Sequence, residues 1–123
     1  MSKLIHQNLS NKVLGCAFSV HNILGPGLLE SCYEGAMVIE LQRAGIQVQR
    51  QHVYPLYYKG ECVGGYIADL VVESTIILEL KSVQALHDVM VAQLLNYLRL
   101  SRCPLGYLMN FNGTRLEYKR YVL

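Results

Sequence analysis

Asp69-Leu70-Val71-Val72-Glu73-Ser74-Thr75-Ile76-Ile77-Leu78-Glu79-Leu80-Lys81 reads as two apolar strands joined by a short polar turn. Strands repeat every two residues, so Glu79 and Lys81 share one face and Leu78 and Leu80 the other. With the turn at Glu73 to Thr75, Val72 is expected opposite Ile76, Val71 opposite Ile77, and Asp69 opposite Glu79. Carboxylates opposed at about 5 Å repel one another. An apolar hairpin carrying them needs a proton or a divalent cation between them. The competing reading is an edge strand with a structural ion pair, and the residues alone leave both open.

Helical and extended runs flank this hairpin. Leu9, Val13, Cys16, Ala17, Val20, Ile23 and Leu24 form an apolar stripe that predicts a helix from about Asn8 to Leu24, ended by Gly25-Pro26-Gly27. A second helix is expected from about Leu28 to Ala44, with Gly45 at its C-terminal end and Glu30 and Glu34 near its positive N-terminal end. The period then changes to two, predicting strands at Ile46 to Gln51, Val53 to Lys59 and Cys62 to Val72, with a bulge at Gly64-Gly65. Asp88 is the expected N-cap of a third helix reaching about Arg102. Leu105 to Phe111 and Thr114 to Val122 flank Asn112-Gly113, a strong signal for a tight hairpin. The order predicts an α/β (α+β) fold, a mixed sheet flanked by helices, with N-terminal helices, a C-terminal hairpin and one domain over 1-123.

Composition narrows the classes. A chain of 123 residues with 52% hydrophobic content can bury a substantial core. Met1 to Asn8 lacks the apolar block of a signal peptide, and no run approaches the roughly 18 apolar residues of a membrane span, so a cytoplasmic protein without membrane contact is expected. The four cysteines have neither CxxC nor zinc-ligand spacing, which points to reduced thiols. Eleven Lys/Arg oppose nine Asp/Glu. Neutralising Glu30, Asp69 and Glu79 with a cation leaves eleven positive charges against six negative, which suits a phosphate-bearing substrate.

Hard oxygen donors without His or Cys favour magnesium or manganese over zinc. Gln93 and Tyr97, four apart, share a face of the third helix, either as a polar rim or as part of the site. Glu30 and Tyr33 share a face of the second, where they equally suit an ordinary helix start. The histidines form no spaced pair, and no nucleophile triad, P-loop or dinucleotide fingerprint occurs. The nine tyrosines suit core packing or base stacking. The apolar content and a final strand at a sheet edge make a homodimer a further expectation.

Taken together, Gly27-x-x-Glu30-x-x-Tyr33, Ile67-Ala68-Asp69-Leu70-Val71, Glu79-Leu80-Lys81, Gln93-Leu94-Leu95-Asn96-Tyr97 and Asn110-Phe111-Asn112 resemble the GxxExxY family, classed with the PD-(D/E)XK nuclease-like superfamily. The resemblance runs from about Asn11 to Leu123. It implies a restriction-endonuclease-like core and a metal-dependent phosphodiesterase or nuclease that cleaves DNA or RNA by metal-activated water attack. By the same resemblance Asp69, Glu79 and the Leu80 carbonyl would hold Mg2+ or Mn2+, with Glu30 as accessory acid and further ligand. Lys81 would orient water or offset developing charge, and Gln93 with Tyr97 would match a QxxxY element. Ala68 stands where the superfamily name has proline. The alternatives are a catalytically silent nucleic-acid- or protein-binding module of the same fold and a hydrolase of another phosphate ester.

Overall fold

The computed structural model describes residues 6–123; Met1 to Ile5, most of the segment read for a signal peptide, lie outside the described residues. Two helices come first, α1 (Gln7–Leu24) and α2 (Glu30–Arg43). The strands β1 (Val48–Tyr58), β2 (Glu61–Val72) and β3 (Ile76–Lys81) follow, then α3 (Asp88–Ser101), β4 (Leu105–Asn110) and β5 (Glu117–Val122). The strands form one five-stranded sheet in sequence order. All neighbours are antiparallel except β3 and β4, whose parallel pairing is made possible by the α3 crossover. This is the expected mixed sheet flanked by helices.

The sheet has helices on both faces. Leu70, Val72, Ile76, Leu78, Leu80 and Met109 pack with Val13, Val20, Met37 and Leu41 of α1 and α2. Ala68, Val71, Ile77 and Leu108 pack with Leu94 and Leu98 of α3. Burying both faces of β3 and β4 explains why these strands read as nearly continuous apolar runs. Leu78 and Leu80 lie on the α1/α2 side, so alternation gives Glu79 and Lys81 the α3 side, as the two-residue period requires. No helix among the described residues is long and apolar enough to cross a membrane.

Several local expectations need correction. The two runs expected at 46–51 and 53–59 are one strand, β1, continued through a left-handed Gln51 (φ 53°). The N-cap of α3 is His87, with Asp88 in the first turn, where its charge still meets the positive end of the helix. Helix α2 starts at Glu30, after an extended N-cap at Leu29. Asn112-Gly113 is not a tight two-residue turn. The ladder of β4 and β5 ends at Asn110 and Glu117, because Phe111 and Leu116 of the connecting loop turn into the core and the Gly113 carbonyl lies 2.8 Å from His21 Nε2. The bulge expected at Gly64-Gly65 falls earlier, at Val63, since Leu56 faces Gly64 and Tyr57 faces Cys62. Gly45 is left-handed just past α2, as a helix-ending glycine should be.

Candidate functional site

The β2–β3 hairpin pairs as its sequence predicts at Val72 with Ile76 and Val71 with Ile77. Backbone pairing then stops at Leu70 and Leu78, one step before the two acids. Side chains take over the ladder's role. The Asp69 N–H donates to Glu79 Oε2 at 3.0 Å, and the Leu80 N–H donates to Asp69 Oδ2 at 2.8 Å. Each carboxylate thus caps the other strand's backbone through one oxygen and has its second oxygen for other work.

Burial and mutual repulsion set the protonation of this pair. Glu79 is only 5% exposed. Burial first, and the Asp69 charge second, push its pKa up to about 8. Asp69 is also raised, chiefly by burial and further by Glu34 and Glu30, against the lowering effect of the Leu80 N–H and Lys81. Near neutral pH the protonated form of Glu79 is therefore favoured.

Helix α2 brings its acids to this place by a clamp at its entry. The Tyr33 hydroxyl donates to the Gly25 carbonyl at 2.6 Å and accepts from the Leu28 N–H at 3.1 Å. Its ring stacks on Phe111 at 4.6 Å. Ser82, directly after Lys81, donates from Oγ to the Leu28 carbonyl at 2.7 Å, so the α1–α2 loop is tied to the end of β3. Gly27, at φ 92°, makes the turn that this loop needs. Tyr33 thus works by holding the helix start, while Glu30 is exposed at its first residue and acts on Asp69 through its charge.

On the other face, Tyr97 of α3 stacks on Tyr66 with centroids 4.2 Å apart, and Tyr66 stacks on Tyr54 at 5.0 Å. The Tyr97 pKa is raised by burial and then by Glu79 and Asp69, which places its hydroxyl within the field of the acids. Gln93 is exposed one turn earlier, and no hydrogen bond draws it to the pair. Charge thus couples Glu30, Lys81 and Tyr97 to the Asp69–Glu79 pair, whereas no contact brings Gln93, expected to converge with them, to the acids.

Two other residues here had no role in the site expected from the sequence. Glu34, 6% exposed, accepts from Arg50 Nε at 2.7 Å and from Gln51 Nε2 at 3.0 and 2.9 Å. Its signal was its position four residues after Glu30, on the same helix face. Asn110, 3% exposed and opposite Lys81 in the parallel ladder, accepts from the Val83 N–H at 3.1 Å and donates to the Val83 carbonyl at 2.9 Å. It fixes the chain as it leaves Lys81.

The donor set fits a hard divalent cation. Two carboxylates with spare oxygens and the adjacent Leu80 carbonyl suit magnesium or manganese, which need only one or two carboxylates and keep bound waters. Among the described residues, no three His, Cys, Asp or Glu side chains are grouped to hold an ion. Glu30 is therefore no preformed third ligand, and both Glu34 oxygens are already engaged.

A sequence model described as the PD-(D/E)XK nuclease superfamily matches residues 7–121. A solved structure titled "Crystal structure of SSO0001" is similar in fold, with a TM-score of 0.58 at 16% identity. The alignment covers 94% of this chain and 58% of that one, so this chain spans little more than half its length. No curated protein matches.

Proposed function

The chain belongs to the PD-(D/E)XK nuclease superfamily, and from that membership together with the Asp69–Glu79 acid pair we propose a divalent-cation-dependent phosphodiesterase acting on DNA or RNA. The observation that carries this reading is the Asp69–Glu79 pair beside Lys81, a buried and a half-buried carboxyl in an apolar hairpin, each accepting a backbone N–H of the other's strand. Asp69, Glu79 and the Leu80 carbonyl are the residues to hold Mg2+ or Mn2+. When bound, the cation supplies Lewis-acid polarisation of the phosphodiester and acidifies the attacking water.

The chain's own groups have separate tasks. Glu79 gives up its proton as the site is loaded. Lys81 contributes positive charge where the pentavalent phosphorus gathers negative charge. Glu30, exposed at the mouth, is suited to orient water, and Tyr97 and Gln93 line the α3 side where substrate enters. We further assign the chain to the GxxExxY branch, a reading supported by the paired duties of Gly27 and Tyr33 at the entry to α2.

Incubation with single- and double-stranded DNA and RNA, with Mg2+ or Mn2+, tests the proposal. Cleavage should need the cation and fall by orders of magnitude in Glu79→Ala and Lys81→Ala. Cleavage that ignores chelator and survives both substitutions refutes it. A second reading is a silent binding module of the same fold. Salt-sensitive nucleic-acid binding without turnover at any cation concentration would select it.

A further inference from the structure

β1 and β2 depart from a regular ribbon at the same place. Their ladder pairs Arg50 with Leu70 and His52 with Ala68, and skips the position between, Gln51 opposite Asp69. The two-residue alternation slips there in both strands. On β1, Val48 packs with the α1/α2 core but Tyr54 with the α3 cluster. On β2, Leu70 and Val72 pack with the α1/α2 core but Ala68 with the α3 cluster. All five positions are even-numbered, and an unbroken strand would keep those of each strand on one face.

A left-handed glutamine inside a strand does not arise from its own preference. Gln51 is held at φ 53° while its amide donates to both oxygens of Glu34. Arg50 grips the same carboxylate through Nε at 2.7 Å and reaches the Ser31 carbonyl through Nη2 at 3.2 Å. Helix α2 therefore reaches across to β1 at the point where the ladder skips Gln51 and Asp69. Directly opposite, Asp69 turns its amide to the Glu79 carboxylate and its carboxylate to the Leu80 amide.

We propose that Glu34, Gln51 and Arg50 are a positioning clamp: they impose the strand break at Asp69 and so hold the two carboxylates in their crossed arrangement. An ordinary stabilising ion pair would not need the glutamine or its backbone conformation. The cation-binding consequence rests on the function proposed above; the backbone consequence does not.

The test compares Gln51→Val, whose branched side chain resists the left-handed region, with Gln51→Gly, which enters it freely. Amide hydrogen exchange in the metal-free protein is read at Asp69 and Leu80 and referred to Ile77 in the same sheet. Gln51→Val should lose about tenfold or more of its relative protection at Asp69 and Leu80, and Gln51→Gly, which enters the conformation but lacks the amide held by Glu34, should lose less than Gln51→Val without matching the parent. Mn2+ affinity by calorimetry should follow the same order, and Glu34→Gln, which keeps the shape but loses the charge held by Arg50, should fall between. Parent-like protection in Gln51→Val overturns the clamp, as does a loss shared equally by Ile77, which would mean general destabilisation. A parent protein that binds no Mn2+ defeats the functional reading instead, and the exchange measurement still decides the clamp.

Discussion

Removing the proton from Glu79 in the absence of a cation should weaken the fold, and by an amount large enough to measure. Its carboxyl is raised from an ordinary 4.5 to about 8, mainly by burial and then by Asp69. An acid raised in the folded state contributes stability that is fully present below its unfolded pKa and is lost as pH rises through the folded value. The window therefore runs from about pH 4.5 to about pH 8, and about 3.5 units correspond to at most roughly 5 kcal/mol. That is a large part of the 5–15 kcal/mol that typically separates folded from unfolded chains.

Urea denaturation followed by far-UV circular dichroism, with chelator, at about pH 5, 6.5 and 8 would measure this slope. Glu79→Gln keeps the shape and lacks the ionisation, so its stability should be nearly flat where the parent declines. Asp69→Asn should flatten the slope only in part, since burial is the larger cause. Adding Mn2+ at about pH 8 should restore the parent and not Glu79→Gln, because binding replaces the proton with a charge the pair can share. Equal pH slopes in the parent and Glu79→Gln would refute the reasoning, since Glu79 would then be charged or neutral alike in both states.

Three further outcomes follow from particular contacts. Tyr33→Phe keeps the stack on Phe111 but loses both hydrogen bonds at the α2 entry, so it should cost about 1–2 kcal/mol and weaken cation binding without removing it, as thermal melts and calorimetry would show. Asn110→Ala strands both polar groups of Val83 and should cost about 2–3 kcal/mol while opening the segment after Lys81 to limited proteolysis. A Cβ at Gly106 would lie 2.9 Å from Leu94 Cδ1 and 3.0 Å from Leu98 Cδ2, both side chains fully buried. Gly106→Ala should therefore destabilise by about 1–3 kcal/mol through α3 being pushed off β4, read as a lower urea midpoint.

The parts of this fold that were legible in the sequence are those in which local pattern and burial agree. Ile76-Ile77-Leu78 is apolar on both faces because helices cover both, and the Glu73 to Thr75 turn fixed the register of its hairpin correctly. Asn112-Gly113 misled because its local preference competes with Phe111 and Leu116, whose burial opens the turn into a longer loop. Tertiary packing outweighs a two-residue preference when two apolar side chains are at stake.

The site is harder to read than the fold, and Gln51 shows the reason. Nothing in Val48-Gln49-Arg50-Gln51-His52-Val53 marks its fourth residue as left-handed; alternation there predicts an ordinary strand, or two. The conformation depends on Glu34, seventeen residues earlier, whose own sequence signal is only that it follows Glu30 by one helical turn. A strand that obeyed its period would pair Gln51 with Asp69 through the backbone, and Asp69 would then have no amide free for Glu79. Two opposed acids in a regular ladder would have been a defect to be relieved by mutation. Broken out of the ladder, they cap each other's strands, so the sheet keeps its hydrogen bonds while each acid keeps one oxygen outside them.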